Sequence, residues 1–226
     1  MSPNIIGYIH ICQKGDWQKS FRMLIDSIKK SGLYHNSSTI RLGIVNDVGA
    51  LIPDVILSEY KFDIVHVGTS SDYERPTLLH MKKMAEEYDE NNTLYYYLHT
   101  KGISHFTTPK ELNVIDWINL MLYWNIEQWR LAVKTLHRTE EHQYDTYGCN
   151  DVGYHYSGNF WWATRDHIKK LPRTIAEYYT APEDWIQIVR TNKFCVYNSG
   201  LNGMHYHLRY PRELYVDIIR RNEPIK

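Results

Sequence analysis

The chain has 226 residues, and its 26 Lys+Arg balance its 26 Asp+Glu to a formal charge of zero. A neutral surface argues against sequence-independent binding to nucleic acid, which needs a basic field. Cys12, Cys149 and Cys195 stand far apart with no C-x-x-C pair, which argues against a disulfide framework or a cysteine zinc site.

The length suits one α/β domain over residues 1–226, and no repeat or linker divides it. Ile5 to Cys12 is an apolar run that predicts a buried strand ending at Gln13-Lys14-Gly15. Asp16 is placed to cap a helix carrying Trp17, Phe21, Leu24, Ile25 and Ile28 at helical spacing, closed by Gly32. Ile40 to Val45 predicts a second strand ending in Asn46-Asp47, and Asp63 to Val67 a third. Ser71 and Glu74 have capping-box spacing ahead of a helix with Leu78, Leu79, Met81 and Met84. Leu94 to Leu98 is the fourth strand, followed by His99-Thr100-Lys101-Gly102. This alternation predicts a mostly parallel, twisted sheet flanked by helices.

The second half, from about residue 106, is less regular. Thr108-Pro109-Lys110-Glu111 reads as a cap and first turn for helical sequence reaching toward His137. Its stripe of Trp117, Leu120, Met121, Trp124 and Leu131 reads as core. A strand at Phe160–Ala163, a short helix at Arg165–Leu171, a helix opening at Pro182 and a strand at Phe194–Tyr197 complete the expectation. No window approaches the roughly 18 apolar residues of a membrane span, and Met1–Tyr8 lacks a basic n-region, so the expected location is cytoplasmic.

In open parallel sheets, ligands collect beyond the carboxyl ends of the strands. There the sequence places a nucleotide-like ligand against Gln13, Asn46-Asp47 and the His99-Thr100-Lys101-Gly102 turn. That turn offers an imidazole, a hydroxyl and an ammonium, and backbone N–H groups near Gly102 would add an anion nest. No G-x-G-x-x-G follows the first strand and no G-x-x-x-x-G-K-[ST] occurs, which disfavours a dinucleotide dehydrogenase and a P-loop ATPase. Ser157 and Asn159 flank a glycine ahead of Trp161 and Trp162, so one tryptophan would face a cleft. Thr180 and Glu183 fit a capping box, and Asp184 follows in the first helical turn. His205 and His207, two apart, would point the same way on an extended strand. The content of 19 tyrosines and seven tryptophans suits stacking on sugars and bases and also the filling of a core.

Together, the H-T-K-G turn, the Ser-Gly-Asn-aromatic strand, the Pro-Glu-Asp helix start and the late histidine resemble a GT-A-type glycosyltransferase. The turn is similar to that of rhamnan-synthesis-type transferases of bacteria and relatives in large DNA viruses. The resemblance implies a nucleotide-sugar donor, a UDP-sugar first, and transfer of a hexosyl or deoxyhexosyl group to a glycan hydroxyl. It implies that Ile11, Gln13, Asn46 and Asp47 cradle the nucleoside and that His99, Thr100 and Lys101 lie near the pyrophosphate. Asp184, with Glu183 beside it, would deprotonate the acceptor in an inverting displacement; Ser157, Asn159 and Trp161 would meet sugar. His205, His207 or His99 would bind a metal or the diphosphate. Such enzymes hold Mn²⁺ or Mg²⁺ on an Asp-x-Asp after the fourth strand, where Leu98-His99-Thr100 stands here. Either the ion is held differently, or Lys101 and a late histidine neutralise the diphosphate without it. A non-catalytic carbohydrate-binding module and a histidine-dependent phosphate-ester hydrolase or nucleotidyltransferase are the competing readings.

Overall fold

The computed structural model describes residues 2–47, 59, 61–137 and 143–216. Four strands form in the first half: β1 (Asn4–Cys12), β2 (Thr39–Val45), β3 (Phe62–Gly68) and β4 (Thr93–His99). β1 is almost wholly apolar and becomes an interior strand, parallel to β2 on one side and to β4 on the other. β3 lies parallel to β2 at the edge. The second half adds the short strands β5 (Thr146–Gly148), β6 (Trp161–Thr164) and β7 (Lys193–Cys195). β6 runs antiparallel to both β4 and β5, and β7 is parallel to β5. The order is β3-β2-β1-β4-β6-β5-β7. The expected α/β class, a mostly parallel sheet flanked by helices, is what the chain forms.

Side chains alternate across the sheet with period two, so each face has its own core. Ile9, Ile11, Tyr96 and Leu98 face α1 (Trp17–Lys30), and the same core takes in Trp117 and Trp124 from the second half. Tyr8, Tyr95, Tyr97 and Trp161 face the opposite way, onto α3 (Arg75–Glu87). Between these helices the short α2 (Leu33–Asn36) precedes β2. The later helices are α4 (Glu111–Leu122), α5 (Trp129–Leu136), α6 (Arg165–Ile168) and α7 (Ala181–Asp184). All seven tryptophans are buried; the exposed aromatics are tyrosines, among them Tyr73, Tyr154, Tyr178 and Tyr179. The tryptophan content therefore builds the core rather than a stacking surface.

Local details correct the sequence reading in several places. Asp16 caps α1 as expected, accepting from the Lys19 amide at 3.3 Å. The capping box ahead of α3 is not Ser71 with Glu74 but Thr69 with Asp72, around a single 3₁₀ turn. Glu74 sits at the N-cap position of α3 without a capping bond, which frees its carboxylate for other work. Pro109 lies before the helix, since α4 starts at Glu111. The run toward His137 is broken by a π-helical turn at Tyr123–Glu127. Thr180 makes no side-chain cap on α7, so the capping box does not account for Glu183.

Candidate active site

The strand order reverses at β1: the chain steps from β1 outward to β2 and β3, then returns to β4 on the other side. Parallel sheets open a crevice at such a point, beyond the carboxyl ends of the strands. A cavity of about 440 Å³ lies there, lined by His10 and Cys12 of β1, Glu74, His99, Lys101 and Glu183, with Tyr73, Tyr179 and Tyr206 also on its wall. A larger cavity of about 900 Å³ is lined by Pro3, Leu131, Val133 and Phe194 together with Arg130, Lys134 and His137, and no carboxylate stands among its lining residues.

Hydrogen bonds fix the turn after β4. The Thr100 amide donates to the His10 carbonyl at 2.9 Å, and the Thr100 hydroxyl accepts from the Cys12 amide at 2.9 Å. The Lys101 amide donates to Ser20 Oγ at 3.0 Å. Thr100 therefore ties β4 to β1, and the amides of Thr100 and Lys101 are already used, which removes two donors from the expected anion nest. What the turn does present is the Lys101 ammonium. It is buried, packs 4.6 Å above the Trp117 ring centre and lies 3.8 Å from Glu183 Oε1. Burial alone lowers an ammonium pKa; Tyr206, Glu183 and Glu74 outweigh that here and raise it, so Lys101 stays charged.

Around this cation the imidazoles are neutral. Burial, with Lys101 adding to it, lowers the His99 pKa to about 4. Its Nε2–H then donates to the Gly158 carbonyl at 3.0 Å, leaving Nδ1 facing Glu74 Oε1 at 3.7 Å. His10, bonded to Thr77 Oγ1 at 3.0 Å, is likewise lowered to about 4, by burial against the opposing charge of Glu74.

Glu74 is the residue the sequence reading missed. Its Oε2 accepts from Tyr97 OH at 2.6 Å and from Asn159 Nδ2 at 2.7 Å. The available signal is its place at a helix start just past the carboxyl end of β3, where capping-box spacing gives it an ordinary local explanation. Asn159 is fully buried and divides its amide between Glu74 and the Trp161 indole, whose N–H donates to Asn159 Oδ1 at 2.8 Å. Trp161 itself is buried and stacked on Tyr97 at 5.0 Å. Neither is disposed to meet sugar; both position Glu74.

The two adjacent carboxylates of α7 part company. Glu183 lines the cavity. Asp184 instead receives Tyr178 OH at 3.1 Å and lies 3.1 Å from His155 Nδ1. His155 Nε2 in turn lies 3.8 Å from Glu183 Oε2. The carboxylate facing the cavity is thus Glu183, and Asp184 is committed to its neighbours.

The remaining expected residues divide as well. The Ile11 side chain belongs to the core facing α1, because alternation puts its neighbours His10 and Cys12 at the cavity. Asn46 donates to Gln13 Oε1 at 3.1 Å, and Asp47 pairs with Lys14 at 2.9 Å and with Ser70; Lys14 and Ser70 line the cavity, so these groups stand at its rim. Ser157 lines a different cavity. His205 and His207 lie on and just after a 3₁₀ turn rather than a strand, so they do not share a direction: His205 is buried and His207 exposed.

A divalent ion, as the resemblance implies, does not fit these residues. Among the described residues no three His, Cys, Asp or Glu side chains are grouped to hold one. The two hydrogen bonds to Glu74 both fall on Oε2, which leaves only Oε1, facing His99 Nδ1 at 3.7 Å, and the cavity already holds a cation in the Lys101 ammonium. Hard cations want several unencumbered oxygens.

No protein-family model matches the chain, and no curated protein sequence matches it. Among solved structures it is similar to a protein from Desulfovibrio desulfuricans G20 described as a nucleotide-diphospho-sugar transferase, with a TM-score of 0.47 and 9% identity over 88% of this chain and 81% of that one. It is also similar to HddC from Yersinia pseudotuberculosis, with a TM-score of 0.45 and 10% identity over 85% of this chain and 90% of that one. Likenesses of that depth assign no activity to this chain.

Proposed function

We propose that this chain is a glycosyltransferase that moves a sugar from a nucleotide-sugar donor, a UDP-sugar first, to an acceptor hydroxyl. The observation that carries the reading is the buried Lys101 ammonium beside the Glu183 carboxylate, in a cavity at the switch point of the sheet. Nucleotides favour such crevices. A fixed cation where a diphosphate departs stabilises charge that grows in the transition state.

In this reading the acceptor oxygen attacks the anomeric carbon as the bond from that carbon to the diphosphate oxygen breaks. The bonding electron pair leaves with the diphosphate toward Lys101, and the acceptor proton passes to Glu183. Glu74 is held by two hydrogen bonds on one oxygen and serves to position rather than attack, so one displacement with inversion follows. No step passes through a metal ion.

Two measurements test this together. UDP-sugars should raise the melting temperature by mass action, and Glu183→Gln should lower turnover by two or more orders of magnitude while that thermal shift persists. Asp184→Asn should have a smaller effect on turnover. If Glu183→Gln transfers sugar at the wild-type rate, the base assignment is wrong. If no nucleotide sugar stabilises the wild-type chain, the transferase reading fails.

A further inference from the structure

A second cavity of about 520 Å³ shares no lining residue with the first, and its lining differs in kind. Amides and a hydroxyl dominate it, from Asn150, Ser157, Asn198 and Asn202. Its charged groups are quenched. Asp151 is paired with Lys193 at 2.8 Å, and His205 is held neutral by burial and by Lys101, its pKa lowered to about 4. At its mouth the Tyr154 ring is exposed and packs edge-on against His155, 4.6 Å between centres.

One group here asks for a partner. His205 is 1% exposed, and Ser199 Oγ lies 3.0 Å from its Nε2. Asn150 Nδ2, whose amide is oriented by the Ser199 N–H on Oδ1, lies 3.5 Å from the same Nε2 and can only donate to it, which leaves the ring proton on Nδ1. That Nδ1 is buried with no partner among the described residues. A buried donor left unpaired is costly, and the ring that carries it lines this cavity.

Two short links join this cavity to the first. His155 lines the second cavity, and its Nε2 lies 3.8 Å from Glu183, which lines the first. Trp117 carries Lys101 over its ring at 4.6 Å and also stacks with His205 at 5.0 Å. A molecule seated here therefore lies against His155, one side chain away from the proposed base, and is separated from the diphosphate cation by the Trp117 ring. Neutral hydrogen-bonding groups beside an open aromatic face suit a ring rich in hydroxyls and without charge.

We infer that this second cavity is the acceptor subsite and binds a neutral sugar ring, with Tyr154 stacking on the ring and His205, Ser157 and Asn202 reading its hydroxyls. The inference rests on the transferase reading above, but its test separates the two. Methyl glycosides of glucose, galactose and rhamnose, at millimolar concentration with UDP present, are offered to the full chain in saturation-transfer NMR. At least one should receive saturation, and Tyr154→Ala and Asn202→Ala, both at exposed positions, should each cut the signal fivefold or more. The thermal shift given by UDP should be unchanged in both variants. Lys101→Met should do the opposite, weakening UDP binding tenfold or more and keeping the glycoside signal. The subsite is overturned if no glycoside is saturated, or if Tyr154→Ala and Asn202→Ala leave the signal intact. Glycoside binding without any UDP binding keeps the subsite and overturns the transferase reading; UDP binding without a glycoside signal does the reverse.

Discussion

Lys101 is an ammonium removed from water, and that position is unfavourable unless something compensates it. The compensation is visible: the Trp117 face, Glu183 at 3.8 Å, and the further fields of Tyr206 and Glu74. A side chain so provided for can meet an incoming anion without first being ordered, which is what preorganisation means in energetic terms. A charge-assisted hydrogen bond contributes about 1.5–3 kcal/mol. Lys101→Met should therefore weaken UDP binding roughly 10- to 150-fold by titration calorimetry. Unchanged affinity would place the diphosphate away from this turn. Sequence inspection finds Lys101 because three polar residues and a glycine closing an aromatic strand are conspicuous. It misses Glu74 because a glutamate at a helix start has an ordinary local explanation, and only the fold brings Tyr97 and Asn159 to it from 23 and 85 positions away. The same limit applies to Glu183 and Asp184. Adjacent residues of one helical turn face different neighbours, and composition does not say which one faces the cavity.

At the scale of elements, the packing of α3 on the sheet decides where Glu74 stands. Gly43 in β2 lies beneath this helix, and a Cβ there would overlap the Thr77 hydroxyl, the same hydroxyl that holds His10. Gly43→Ala should therefore lift α3 at its first turns. Overpacking of this kind costs about 1–3 kcal/mol, or roughly 2–12 °C in melting temperature for a chain of this size. It should also weaken nucleotide binding, because Glu74 begins the same helix. A melting temperature equal to wild type would show that α3 adjusts without strain. Long periodic elements are legible in advance: β1, β2, β4, α1 and α3 all carry enough apolar residues at a single period to be recognised. The three-residue strands β5 and β7 carry too few to show any period. The π-helical turn at Tyr123–Glu127 interrupts a pattern that an unbroken helix would satisfy equally well.

For the whole molecule, zero formal charge keeps self-repulsion small near neutrality, so the response to acid falls to individual buried groups. His10 and His99 are the clearest. Each is neutral in the fold, with its pKa lowered to about 4 by burial, and each would titrate near 6.5 once unfolded. As pH falls from 6.5 toward 4, the unfolded chain takes up protons that the folded chain refuses. Stability is therefore fully present above about 6.5 and is lost on acidification through that window. The loss is about 1.4 kcal/mol per pH unit for each imidazole, on the order of 4 kcal/mol for the pair between pH 6.5 and 5. Urea denaturation at pH 7.5 and pH 5 should show it, and a His10→Gln, His99→Gln double variant should lessen the difference, leaving the share of His205, whose pKa is lowered in the same way. Glutamine at position 99 can still donate to the Gly158 carbonyl, so the lessened difference separates titration from lost hydrogen bonding. Equal wild-type stability at both pH values would mean that the two imidazoles accept protons in the fold, and the neutral lining described around Lys101 would be wrong.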